Sequence, residues 1–235
     1  ELSLKNLKKH YQSLFLKYKY SYKTAQQSSR ATQKKRIKIL TDDFTFRKND
    51  KILDFGCGTA FLFEYLKKEK NFKGYYTGVD MVKEIIESNK KKYSKNKKVK
   101  FLDIDILKEN KKILESDYIF ISGTFNNNIS SNWKFMTRSL KKLFNSTKKV
   151  IAFNNLSTYV DYKDKGLHYT SPEKVFKFCK NHLSKYVLLK HNYLIKKKSI
   201  PFELTEIALL STPYCIALLG WLPHKSVLSL GWGGT

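Results

Sequence analysis

Cysteine, proline and arginine are all scarce in this chain of 235 residues. The three cysteines, Cys57, Cys179 and Cys215, are scattered, and none sits in a CxxC or His/Cys cluster. That excludes a disulfide framework and a zinc centre of ordinary spacing, so no metal is expected. Reduced thiols fit the cytoplasm, and no basic-plus-apolar segment opens the chain, so a cytoplasmic location is expected. Long apolar runs are missing too. The stretch Ile207–Leu222 is short for a bilayer and holds Pro213 midway, so no membrane span is expected. Acids number 20 against 46 basic residues, a formal charge of +26. Such charge invites a nucleic-acid reading. Yet only Arg30, Arg36, Arg47 and Arg138 are arginines, and arginine is the residue that reads bases and forks phosphates. The lysine excess accompanies abundant Asn, Ile, Phe and Tyr, the bias of an AT-rich genome. Runs such as Lys90–Lys92 and Lys196–Lys198 therefore read as solvated faces. No specific nucleic-acid partner is expected, only general attraction to polyanions at low salt.

What the chain does have is one compact glycine turn. Residues 51–59 read Lys-Ile-Leu-Asp-Phe-Gly-Cys-Gly-Thr. A short apolar strand ends near an acid, Asp54, and Gly56 and Gly58 follow before a helical pattern over Ala60–Lys68. Such a strand–turn–helix leaves a cleft floored by a helix N-terminus, where a ligand can touch backbone free of Cβ atoms. A dinucleotide fingerprint wants a third glycine, but Phe61 stands there.

The rest of the pattern is periodic. Tyr75–Val79 is a second strand, ending at Asp80, 22 residues after Gly58, where a carboxylate accepts from ribose hydroxyls. A charged helix follows, with Val82, Ile85, Ile86 and Asn89 on one face. Val99–Ile106 reads as a third strand whose last acid is Asp105. Asp117–Gly123 is a fourth, continuous enough in apolar residues to be covered on both faces. Asn132–Phe144 reads as a helix, Val150–Phe153 as a fifth strand, Pro172–Leu183 as a helix capped by Ser171, and Tyr186–Leu189 as the start of a sixth strand. Residues 3–20 and 30–41 read as helices ahead of the sheet. Asp54, Asp80 and Asp105 thereby gather at the carboxyl ends of strands, where open α/β sheets bind ligands. These observations alone point to an adenosine-bearing ligand.

Asp54-x-Gly56-x-Gly58-x-Ala60 resembles the first motif of class I S-adenosylmethionine (SAM)-dependent methyltransferases, with Ala60 in place of the commoner last glycine. The resemblance spans roughly residues 45–195. It implies a doubly wound, mostly parallel, seven-stranded-type sheet (a Rossmann-like methyltransferase fold) with N-terminal helices, SAM as cofactor, and methyl transfer. It also implies a cofactor site of Asp54, Phe55, Gly56, Cys57, Gly58, Asp80, Met81, Asp105, Ile106 and Ser122, with Asp105 and Ile106 at the adenine. Three segments follow: residues 1–44 as helices capping the site, 45–198 as the SAM-binding core, and 199–235 as an atypical apolar tail. Composition changes abruptly at 199. Three of the four prolines and two of the three tryptophans lie beyond it, but a single lysine. No clean copy of the final strand is apparent there. Ile216–Leu219 is the nearest match, and a non-native or disordered tail replacing that strand is expected.

The acceptor would face the end of the fourth strand, Ser122-Gly123-Thr124-Phe125-Asn126. Methyltransferases of planar amines usually carry (Asp/Asn)-Pro-Pro-(Tyr/Phe) here, and its absence argues against a nucleobase acceptor. Phe125 and Asn126, with Tyr159 and Tyr162 from the long segment after the fifth strand, are the candidate acceptor residues. His168 is the candidate general base, because its ordinary pKa lies near neutrality. A small-molecule acceptor is the expectation. The alternatives are an RNA or protein acceptor, a non-catalytic SAM-binding partner protein and, most distantly, a nicotinamide enzyme. Oligomeric state is not legible.

Overall fold

The computed structural model describes residues 3–191, 194–197 and 200–210. The chain opens with α1 (Leu4–Tyr18), a 3-10 turn (Tyr22–Ala25) and α2 (Arg30–Thr41). Helix α1 begins where the Ser3 hydroxyl accepts from the Asn6 N–H, satisfying an end group the helix leaves open. Then β1 (Lys51–Phe55), α3 (Phe61–Glu69), β2 (Tyr75–Val79), α4 (Lys83–Lys92) and β3 (Val99–Leu102) alternate. They are followed by α5 (Lys111–Leu114), β4 (Ser116–Ser122), α6 (Asn132–Phe144) and β5 (Thr147–Ser157). The last elements are β6 (Tyr169–Thr170), α7 (Pro172–His182), β7 (Val187–Lys190), β8 (Leu194–Lys197) and β9 (Ile200–Leu210).

The main sheet runs β3-β2-β1-β4-β5-β9-β7, with β6 beside β5 and β8 beside β9. Strands β1 to β5 pair in parallel, with Asp54 opposite Gly78, Leu53 opposite Ile119 and Ile119 opposite Ile151. Strand β9 enters antiparallel between β5 and β7, with Ala208 opposite both Ala152 and Leu188. Alternate residues face opposite layers, the period-two geometry of a strand. Tyr118, Phe120, Val150 and Ala152 pack with Leu40, Leu62 and Leu66 of α2 and α3. Ile119, Ile121, Ile151 and Phe153 pack with Met136, Leu140 and Val175 of α6 and α7. The chain order reverses between β1 and β4, and this switch point places the cleft at the carboxyl ends of those two strands.

Three expectations change. The third strand stops at Leu102, short of Asp105, because Asp105 folds an Asx turn, its Oδ1 accepting from the Leu107 N–H at 3.1 Å. The fifth strand runs on to Ser157, so Asn154 belongs to the sheet and not to a loop. Its side chain is nevertheless satisfied, with Oδ1 accepting from the Gly123 N–H at 3.0 Å. Finally, residues 200–210, counted with the tail, form the antiparallel strand itself. Pro201 sits at the second residue of that strand, near the end where proline is tolerated. The alternative segment Ile216–Leu219 lies outside the described residues. Among the described residues, no helix is long and apolar enough to cross a membrane.

Candidate active site

The glycine turn is built from both of its sides. The N–H groups of Gly56 and Cys57 both donate to the Val79 carbonyl, at 2.8 and 3.0 Å, which ties the end of β1 to β2. Gly56 has φ +76°, and a Cβ there would meet Thr124 Oγ1 at 2.2 Å. That hydroxyl donates to the Phe55 carbonyl at 2.9 Å, so it closes the gap between β1 and β4. Gly58, at φ +48°, is the opposite case: nothing lies within 4 Å of the position a Cβ would take. The peptide groups on both sides of it are held. The N–H donates to Asp80 Oδ2 at 2.9 Å, and the carbonyl accepts from Asn89 Nδ2 at 2.8 Å. The turn closes at Ala60, a non-glycine residue in the left-handed region at φ 60°, ψ 33°, where glycine is the easier occupant.

Above this turn lies a cavity of about 590 Å³, of ordinary size for a small-molecule site. Phe55, Gly56, Gly58, Asp80 and Met81 line it, together with Asp105, Ile106, Ser122 and Asn126. The structure thus brings nine of the expected residues to one cavity. Burial raises the Asp80 carboxyl above its usual range, while N–H groups of Val82 and Gly58 oppose the shift. Helix α1 roofs the cavity with Leu4, Leu7 and Tyr11, and α2 adds Arg36. Tyr11 Oη accepts from Asn127 Nδ2 at 2.9 Å. Burial raises the Tyr11 phenol above its ordinary value, so it keeps its proton at neutral pH.

Other expected residues lie elsewhere. Asp54 is buried at 3% exposure and is absent from the cavity wall. It lies on the α3 side of β1, where it accepts from the Tyr76 hydroxyl at 2.6 Å. Burial pushes this carboxyl up to about 7, the Tyr76 bond opposing and Asp80 adding to the rise. Cys57 is buried beneath the turn as a free thiol, raised well above its ordinary value by burial. Phe125 is a core side chain at 2% exposure, packed edge-on against Phe135 and Phe153, because the turn after β4 directs it into the core between the sheet and α6. Tyr159 and Tyr162 are exposed, and Tyr159 borders a separate shallow depression with Glu173 and His191. His168 is also outside the cavity wall. Its backbone N–H donates to the Asn126 carbonyl at 2.9 Å, and burial lowers its pKa, with the Lys174 charge adding. The loop after β5 thus gives the site Leu167 and the His168 main chain, while Tyr159 and Tyr162 are exposed outside the cavity wall.

Several residues at the site went unread. Asn89 was legible as an inward helix residue, but the contact with Gly58 arises only from α4 packing on the turn. Tyr11 and Asn127 are 116 residues apart, and nothing local couples them. Asp103 lines the cavity beside Asp105, a position the early end of β3 creates.

The residues fit SAM. The open face of Gly58 is a cradle that a Cβ would fill, and Asp80, Asp103 and Asp105 bring to the same wall carboxylate acceptors of the kind a nucleoside's hydroxyl and amino groups would need. Comparison with known proteins agrees. The family described as methyltransferase domain matches residues 46–185. No curated protein matches. Among solved structures, magnesium protoporphyrin IX methyltransferase from Synechocystis PCC 6803 is similar at TM-score 0.54 and 7% identity, over 77% of this chain and 84% of that one. A SAM-dependent methyltransferase from Aquifex aeolicus gives 0.50 and 19%, over 74% and 88%. Phosphoethanolamine N-methyltransferase 2 from Haemonchus contortus gives 0.58 and 10%, over 77% and 52%. With the turn, the acid-lined cavity and the family match over 140 residues in agreement, the chain belongs to the methyltransferase domain family and is a SAM-dependent methyltransferase.

Proposed function

We propose that the methyl acceptor is a small molecule held beneath α1. The observation that carries this reading is the roof: Leu4, Leu7 and Tyr11 cover the cavity from above, opposite Phe135, Leu156 and Leu167. The roof is pinned at several points. Tyr11 bonds Asn127, Gln12 Nε2 donates to Glu84 at 2.6 Å, and Phe15 is buried against Val82 and Ile85. A covered, largely apolar chamber suits a compact metabolite better than a polymer, and the missing Pro-Pro motif after β4 favours the same choice.

Bound SAM supplies an electrophilic methyl on a sulfonium. In the chain, Gly58 and Asp80 would hold its nucleoside and amino-acid parts, and Asp105 with Ile106 would flank the base. Beneath α1 the wall mixes apolar side chains such as Leu7, Phe135 and Leu167 with polar ones such as Asn126 and Asn127, which would orient a nucleophile. Among the described residues, the cavity wall holds no histidine, and protonated Tyr11 can direct an acceptor by donating a hydrogen bond. Positioning therefore does most of the work. The buried free thiols Cys57 and Cys179 fit a reducing compartment, and we place the enzyme in the cytoplasm.

The test is transfer of labelled methyl from SAM to a metabolite extract, to total RNA and to a protein lysate, with products separated by size. Label in the small-molecule fraction is the expected result. Label in RNA or protein alone overturns the assignment.

A further inference from the structure

We propose that Asn89 and Tyr20 are positioning residues for the cofactor turn, and that through them the N-terminal cap sets cofactor affinity. Asn89 lies on α4, is fully buried, and uses both halves of its amide. Its Nδ2 donates to the Gly58 carbonyl at 2.8 Å. Its Oδ1 accepts from the Tyr20 hydroxyl at 3.1 Å. Tyr20 follows α1 and belongs to the segment leading into the 3-10 turn whose Thr24 and Ala25 line the cavity. An unbroken hydrogen-bonded path thus runs from the cap to Gly58, among the described glycines the one with nothing within 4 Å of its Cβ position.

The path matters because Gly58 holds a left-handed backbone with no side-chain packing of its own. A glycine peptide has the widest conformational freedom of any residue, so its orientation must be imposed from outside. Asp80 fixes the N–H and Asn89 fixes the C=O. Removing either frees the peptide group on that side of Gly58 to rotate and raises the entropy that binding must overcome. Tyr20 then decides whether the Asn89 amide is oriented. Without the phenol, the buried Oδ1 loses its described partner and the amide is free to turn.

The experiment is calorimetric titration of the full chain with S-adenosylhomocysteine, well below the melting temperature of each variant. Tyr20→Phe keeps the ring that packs edge-on against Phe15 and beneath Lys92. It is expected to weaken binding about three- to tenfold, the worth of one hydrogen bond. Asn89→Ala is expected to weaken binding at least as much, and the double variant no more than Asn89→Ala alone, because both act through one amide. Ser88→Ala is the control. The single phenol proton goes to Asn89, so the Ser88 hydroxyl, 3.1 Å away, donates to the phenol oxygen; it does not touch the turn, and its loss is expected to leave affinity unchanged. Unchanged affinity in Tyr20→Phe overturns the proposal. So does a Ser88→Ala effect as large as that of Tyr20→Phe, or independent, additive losses in the double variant. If Asn89→Ala does not fold, the contrast between Tyr20→Phe and Ser88→Ala still decides.

Discussion

Gly58→Ala separates the ligand's claim on the turn from the fold's. The added methyl meets nothing within 4 Å, so the folded protein accommodates it sterically. The backbone at φ +48° costs an alanine about 1–2 kcal/mol. Reduced freedom of the unfolded chain returns about 0.4–1 kcal/mol. The net loss is about 1 kcal/mol, a drop of about 2–4 °C in melting temperature for a chain of this size. The cofactor, however, must give way to a methyl group in a fitted cradle, at about 1–3 kcal/mol, which is roughly five- to 150-fold in affinity. Gly56→Ala is the mirror experiment. Its Cβ would meet Thr124 Oγ1 at 2.2 Å and displace the bond that joins Thr124 to Phe55, so it destabilises by about 2–5 kcal/mol with or without ligand. The assay pairs differential scanning calorimetry with titration by S-adenosylhomocysteine. If Gly58→Ala binds as tightly as the parent, the cofactor does not lie against this turn and the reasoning fails.

The remaining predictions concern three ionisable residues. Asp80→Ala should weaken S-adenosylhomocysteine by about 1–3 kcal/mol, because it removes a cavity-lining acceptor and frees the Gly58 and Val82 N–H groups; unchanged affinity in titration would contradict its role. Asp54 is raised by burial to about 7, above its value near 3.9 in the unfolded chain, so the folded state keeps a proton the unfolded state has lost; its contribution to stability is present below about pH 4 and is lost as pH rises to about 7. Asp54→Asn keeps an acceptor for Tyr76 and should flatten the fall in urea-measured stability between pH 5 and 7, whereas an unaltered slope would show that Asp54 does not titrate there. His168→Ala should leave the pH profile of methyl transfer unchanged, since the ring is outside the cavity wall; loss of a limb of that profile would restore it as a base.

The features legible in the sequence were those whose cause is local. Gly56 and Gly58 announced a turn because their left-handed backbone disfavours other residues, and β4 announced its burial because both faces of Tyr118–Ile121 must be apolar. Asp80 lines the cavity, as its spacing suggests, because a strand end fixes its position within a residue. The same kind of spacing makes Asp54 a cavity candidate, but strand alternation turns it to the Ile52 side of β1, where its partner is Tyr76, 22 residues away. The strand Ile200–Leu210 was hidden by a change of composition, and only its pairing with β5 and β7 identifies it. Phe125 sat within the right loop, yet the direction of its ring was set by Phe135 and Phe153.

By itself, then, the sequence determined the order of elements, the glycine turn and the acids clustered around it, because hydrogen bonding and side-chain periodicity act over a few residues. Tertiary structure alone decided which of those acids reach the cavity, which side chains of α1 line it, and that Asn89 grips Gly58 from α4. Those outcomes depend on the packing of segments distant along the chain, where no spacing rule applies and the shape of the neighbouring surface chooses.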